Sequence, residues 1–128
     1  MNRAPDWLRM ATRDLGLAEV ASASGYHEGA AFHAQQCAEK AVIAVHESLG
    51  TKSRGHSITL LFQGLPACAL VPDSLLQGAA ALSAVYLSSR YPDEFDSGTP
   101  RDYFNEDSSR ELIAYGRAML EWCRTQIH

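Results

Sequence analysis

Lys40, His56 and Arg90 are the residues of this sequence best suited to hold an anion together. Lysine offers a compact ammonium. Arginine offers a planar fork that grips phosphate through two parallel hydrogen bonds. Histidine offers a ring nitrogen that can give or take a proton. Glu39 or Asp93 would supply counter-charge in the empty state and yield to phosphate on binding. A glutamine, Gln35 or Gln36, or else Glu39 would orient the bound group, and Tyr86 or Tyr91 would stack on a base. Lys52 and Arg54 stand near His56, in a loop that ends at a helix start, where backbone N–H groups favour anions. A plainer reading stands beside each of these. Gln35, Gln36, Glu39 and Lys40 would form a solvated helix face with Gln35–Glu39 and Gln36–Lys40 pairs. His56 would cap or pack on the following helix, and Arg90 would pair with Asp93 or Asp96 after the Pro92 turn.

Other chemistries are poorly served. His33 and Cys37 are four apart, but two candidates make no metal centre, and the remaining histidines lack ligand spacing. There is no glycine-rich phosphate loop and no serine or cysteine with a matched base. No cofactor is implied. The net charge of −4 disfavours a bulk electrostatic grip on nucleic acid, leaving a local basic patch as the means of holding phosphate. Three cysteines without short spacing suit free thiols in a reducing compartment. A polar start without a signal-peptide pattern, and no apolar run near the ~20 residues of a membrane span, predict a soluble, cytoplasmic protein.

The elements that must position these residues are helical. From Tyr26 to Leu49, apolar residues recur at Ala31, Ala34, Ala38, Ala41, Val45 and Leu49, in steps of three or four. This predicts a central helix of roughly 36 Å, with small side chains that let neighbours approach closely. A first helix runs from Pro5 to about Ser24–Gly25, with Leu8, Ala11, Leu15 and Ala18 on one face. The loop from Gly50 to His56 leads to a short helix, Ile58 to Gln63, capped by Ser57. Gly64 to Pro72 reads as an irregular connector. A fourth helix begins at Pro72 or Asp73, carries Leu75, Leu76, Ala79, Leu82, Val85 and Tyr86, and is ended by Pro92. Tyr91 to Asn105 is a long loop, a length often kept for function. The last helix, from about Asp107 to Gln126, carries two apolar stripes: Leu112, Tyr115, Met119, Trp122, and Ile113, Gly116, Leu120, Cys123. Such a face either sits deep in the core or meets a second copy of the chain, and it motivates a homodimer helped by the first helix. With no strand-like alternation and no repeat, the whole of residues 1–128 is predicted to be one all-α, up-and-down antiparallel bundle of four to five helices. Lys40, His56 and Arg90 would meet at one end of it.

Several of these residues occur in a recognisable order. Asp14-Leu15 with Ala18 precedes Gly25-Tyr26, then the run Ala-Ala-Phe-His-Ala-Gln-Gln-Cys-Ala-Glu-Lys-Ala over residues 30–41. Gly55-His56-Ser57-Ile58 follows with Leu60-Leu61, and Tyr86 precedes Arg90-Tyr91-Pro92-Asp93. This order resembles the HEPN family over essentially the whole chain. The resemblance implies an antiparallel helical bundle, usually dimeric. It also implies association with nucleotides or RNA, often beside a minimal nucleotidyltransferase in a toxin–antitoxin-like pair. Ribonuclease members of the family carry an arginine followed after four to six residues by a histidine. No arginine here has a histidine at that distance, and Arg90 leads instead to Phe95, Asp96 and Ser97.

Two functions of different class follow. One is a nucleotide- or RNA-binding partner module, working with a minimal nucleotidyltransferase. The other is a metal-independent endoribonuclease with a non-standard site, in which His56 moves the proton and Arg90 stabilises phosphorane charge.

Overall fold

Alanine sets how closely the helices of this computed structural model approach one another; residues 2–53, 55–66 and 70–127 are described. The first helix, α1 (Ala4–Ala23), buries Ala4, Ala11 and Ala18 at seven-residue intervals, a seam of methyl groups along one face. It turns through Ser24–Gly25–Tyr26, where Gly25 takes φ +84°, into α2 (His27–Leu49). α2 buries Ala30, Ala31, Ala34, Cys37, Ala38, Ala41, Val42, Ala44 and Val45 on more than one side, as a central helix must. Gly50, at φ +69°, ends it.

The remaining elements are α3 (Ile58–Gln63), α4 (Asp73–Ser88) and α5 (Glu106–Gln126), and there is no strand among the described residues. Ser57 caps α3 by accepting from the Leu60 N–H at 3.3 Å. The Tyr91–Asn105 connection contains two short 3-10 turns, Pro92–Glu94 and Pro100–Tyr103. Phe95 stacks on Tyr103 at 3.9 Å, and a Thr99–Asp102 capping box closes the second turn. The Gly64–Pro72 connector, and with it Cys68, falls partly outside the described residues.

Cross-contacts fix the directions. Arg124 of α5 reaches Thr12 of α1, while Ser109 reaches Ser22, so those helices are antiparallel. Ser109 also meets His27, and Cys37 donates to the Gly116 carbonyl, so α5 runs parallel to α2. The expected up-and-down bundle is present, with α2 and α5 as a diagonal pair in direct contact. Gly116 makes that contact possible: a Cβ there would stand 3.1 Å from the Ala34 carbonyl oxygen.

Both stripes of α5 are taken up inside this bundle. Met119 is fully buried, Tyr115 lies over Gly78, and Trp122 meets Phe62 edge-on at 5.9 Å. The width of that face therefore follows from its helical neighbours, α1, α2, α3 and α4. The exposed apolar side chains include Met10, Leu17 and Val20 on α1. Among the described residues, no helix is long and apolar enough to cross a membrane.

Candidate functional site

The return from α2 to α3 is pinned before it reaches the site. His46, almost fully buried near the end of α2, bonds Thr51 Oγ1 at 2.7 Å and the Leu61 carbonyl at 2.8 Å. Because a carbonyl only accepts, His46 Nε2 carries a proton, and the Thr51 hydroxyl also donates to the His46 carbonyl at 3.3 Å. This holds the loop back along α2, where it places His56 over the middle of that helix.

There, His56 Nδ1 donates to Glu39 Oε1 at 2.6 Å. The second Glu39 oxygen accepts from Gln36 Nε2 at 3.1 Å, and the same amide donates to Gln35 Oε1 at 2.7 Å. Gln35 Nε2 closes the circuit by donating to the His56 carbonyl at 3.3 Å. Gln35 and Glu39 are buried, so half of the expected solvated face is interior. Burial pushes the Glu39 carboxyl above its ordinary range, opposed mainly by the bond from His56. With Nδ1 committed to a carboxylate, His56 Nε2 has no protein partner among the described residues.

Tyr86 of α4 joins this pair to a cation. The His56 ring stacks on Tyr86 at 4.4 Å with 13° between planes. The Arg90 guanidinium carbon lies 4.5 Å from the Tyr86 ring centroid, 4.7 Å from Phe32 and 4.9 Å from Tyr91. Arg90 Nε donates to the Tyr86 carbonyl at 3.0 Å. No carboxylate of the described residues forms an ion pair with Arg90; neither Asp93 nor Asp96 does so, and Asp93 sits exposed on the first 3-10 turn. Three rings thus orient the fork and one carbonyl fixes its root, leaving the outer N–H groups to an acceptor from outside. Beside it opens a cavity of about 230 Å³ lined by His56, Ser57, Ser83, Tyr86, Leu87 and Glu94.

The structure thus brings together Gln36, Glu39, His56, Tyr86, Arg90 and Tyr91. The cluster lies on the flank of the bundle, midway along α2, because the loop folds back before α3 begins. Lys40 takes a different partner: its ammonium donates to Asp14 on α1, which also accepts from His33 Nδ1 at 3.0 Å. Its counter-charge is therefore Asp14 rather than Glu39 or Asp93, since a half-buried ammonium turns to the carboxylate facing it across the α1–α2 seam. His33 and Cys37 have separate neighbours, Asp14 and the Gly116 carbonyl. Arg54 lies outside the described residues. Phe32 and Glu94 join the site without having been singled out in the sequence, and Gln35 joins it from the interior. Asp14 left one signal: it falls within the Ala11–Ala18 seam, where a carboxylate requires a buried partner.

A larger cavity, about 610 Å³, lies between α1 and α5 and is lined by Glu19, His27, Glu106, Arg110 and Arg117. Its cations are already matched, Arg117 with Glu19 and Arg110 with Glu106. The smaller cavity is lined by His56 and by Tyr86, the ring under Arg90, a cation with no ion-pair partner among the described residues, so it is the better place for anion chemistry.

Comparison with known proteins agrees with this architecture. A family model described as HEPN domain matches residues 4–126. The chain superposes on the crystal structure of TT1696 from Thermus thermophilus with a TM-score of 0.97 and 32% identity, covering 99% of this chain and 100% of that one. It superposes on ST0689, described as an archaeal HEPN homologue, with a TM-score of 0.85 and 41% identity over 100% of both chains. A protein of Methanocaldococcus jannaschii named "Putative toxin MJ1304" is 24% identical over 124 residues, 90% of this chain and 82% of that protein. With the family model spanning α1 to α5 and the whole bundle superposing on an HEPN homologue, the chain belongs to the HEPN domain family.

Proposed function

We propose that this chain binds the phosphate of a nucleotide or an RNA strand at Arg90, as a partner module in a toxin–antitoxin-like pair. One observation carries the reading: the Arg90 guanidinium is held by three aromatic rings beside the Glu39–His56 pair, with no ion-pair partner among the described residues. A phosphate would take the outer N–H groups of the fork, His56 Nε2 would add a second contact, and Tyr91 would offer an exposed ring to a base. The toxin-related setting is supported by the similarity to the Methanocaldococcus protein. A minimal nucleotidyltransferase as protein partner, and a homodimer, are proposed on the family pattern. Met10, Leu17 and Val20 on α1 form the apolar surface a second copy would cover. The test is fluorescence titration of wild type and Arg90→Ala with labelled nucleotides and short single-stranded RNAs. Equal affinities, or no binding by wild type, would remove Arg90 from any site.

A second reading, a metal-independent endoribonuclease, is favoured by one further observation. A buried carboxylate holds His56 by Nδ1, and Nε2 has no partner among the described residues, the arrangement by which an acid–base imidazole is oriented. Incubating the purified protein with total RNA, with and without chelator, tests it.

A further inference from the structure

The larger cavity, between α1 and α5, is walled by two ion pairs rather than by a lone charge. The Glu19 carboxylate of α1 meets the Arg117 guanidinium of α5 across the two helices, and Arg110 Nη2 donates to Glu106 Oε1 at 2.7 Å. Each pair is joined by one bond, from one guanidinium nitrogen to one carboxylate oxygen. The second oxygen of Glu19 and the remaining N–H groups of Arg117 have no protein partner among the described residues. Both side chains of this pair are about half exposed, while Arg110 and Glu106 stand mostly in solvent.

Small residues make the space between these pairs. Ala114 lies on α5 about one turn from each arginine, and Ala23 and Gly25 line the cavity where α1 ends. A methyl group at Ala114 leaves open what a longer side chain would fill, and the cavity reaches about 610 Å³, within the range of small-molecule sites. Ile113 adds an apolar wall. Ser22 and His27 line the cavity from either side of the α1–α2 turn, and both are tied to the buried Ser109: Ser22 Oγ and His27 Nδ1 each lie 2.9 Å from its Oγ. The His27 ring is thereby fixed in place, and its Nε2 has no protein partner among the described residues.

Matched charges on the wall select the ligand. A lone anion at Arg117 would lie against the Glu19 carboxylate, and a lone cation at Glu19 would lie against the guanidinium, so each meets a like charge. A molecule with a carboxylate and an ammonium on neighbouring atoms avoids both conflicts. Its carboxylate can accept from the remaining Arg117 N–H groups while its ammonium donates to the second Glu19 oxygen, and the four charges then alternate in sign. We propose that this cavity is a second ligand site and that it takes a free α-amino acid with an apolar side chain, which lies over Ile113 and Ala114. The cavity shares no lining residue with the one beside His56 and Tyr86, so the inference stands apart from both readings of the Arg90 site.

The probe is leucine, titrated calorimetrically into the whole chain. It is compared with N-acetylleucine, which keeps only the carboxylate, and leucine amide, which keeps only the ammonium. Inorganic phosphate and putrescine are single-sign controls. Leucine should bind, and each blocked form should bind about 10-fold or more weakly, the size of one lost charge-assisted bond. Glu19→Gln and Arg117→Gln should lower the affinity for leucine by a similar factor. Ala114→Leu keeps both ion pairs but fills the space between the arginines, and should abolish binding. All three positions are exposed, so the bundle should stay intact, which circular dichroism checks. Arg9→Gln, outside the cavity, should bind leucine as wild type does. If N-acetylleucine or phosphate binds as tightly as leucine, the cavity is an anion site and the inference is overturned; equal binding of leucine amide or putrescine makes it a cation site, with the same result. Affinity unchanged in all three cavity variants would place leucine elsewhere on the molecule, and no binding of leucine by wild type overturns the inference outright.

Discussion

Glu39 and His56 hold each other across the α2–α3 return, through a 2.6 Å bond between a buried carboxylate and a ring that is more than half exposed. The pair couples the interior of the bundle to its surface, so changes at Glu39 should be felt both in folding and in ligand contact. Folding favours the protonated carboxyl here, because burial raises its affinity for the proton above the unfolded chain's value of 4.5. Stability from this group is therefore present below that value and lost as pH rises through the range above it. Glu39→Gln should flatten this part of the pH dependence and weaken the hold on the His56 ring. Urea denaturation between about pH 4 and pH 7 reads the first effect. An unchanged slope in the variant would mean that Glu39 is not the group responsible.

Tyr86 is the common platform of His56 and Arg90. Its backbone carbonyl holds Arg90 Nε whatever the side chain, so Tyr86→Ala removes the ring contacts and keeps that bond. The variant should lose about 1–3 kcal/mol of stability. It should also bind RNA more weakly, as both groups gain freedom. Thermal denaturation and RNA titration of the same preparation separate the two losses.

Arg90→Lys is a sharper probe than Arg90→Ala, since it keeps the charge. A lysine cannot present the planar fork or stack flat among three rings. If the geometry of the fork matters, Arg90→Lys should lose most of the affinity that Arg90→Ala loses, about 1.5–3 kcal/mol, or roughly 10- to 100-fold. Recovery of wild-type binding by lysine would show that charge alone suffices.

Cys37 and Cys123 lie buried along the α2–α5 seam. Burial pushes the Cys37 thiol up to about 12 and raises that of Cys123 as well. Neither should form a thiolate near neutral pH or react with iodoacetamide in the native protein, and both should react in urea. Peptide mapping by mass spectrometry tells these two sites from Cys68.

Gly116→Val should separate the diagonal helices. The added Cβ would press on the Ala34 carbonyl, part of the α2 backbone, which cannot swing aside as a side chain can. The expected cost is about 1–3 kcal/mol, measured as a lower denaturation midpoint, with helix content retained.

The helices were legible in the sequence because their apolar spacing is regular and their ends are marked. Ser57 caps α3 as read, and Gly25 and Gly50 punctuate α2 at positive φ. The pairing of polar residues was less legible. Spacing puts Glu39 and Lys40 side by side on a helix, yet neighbours in α2 are about 100° apart, so Glu39 turns to the His56 loop and Lys40 to α1. The ring that binds Arg90 from α2, Phe32, lies 58 positions before it, and no local pattern links such residues. The stripes of α5 were visible, but one chain gives no way of telling burial by its own helices from burial by another copy.

α2 has no idle side. Its alanines form the seams with α1 and α5, and its remaining surface carries Phe32, His33, Gln36 and Glu39. A single residue inserted between Phe32 and Glu39 would rotate everything beyond it by about 100°. The core seams and both imidazole–carboxylate pairs would lose register in one step. The Tyr91–Asn105 connection carries less past Glu94, since its Thr99–Asp102 capping box and Phe95–Tyr103 stack are local to the loop. Changes in chain length should therefore accumulate between Asp96 and Asn105 and be absent from α2.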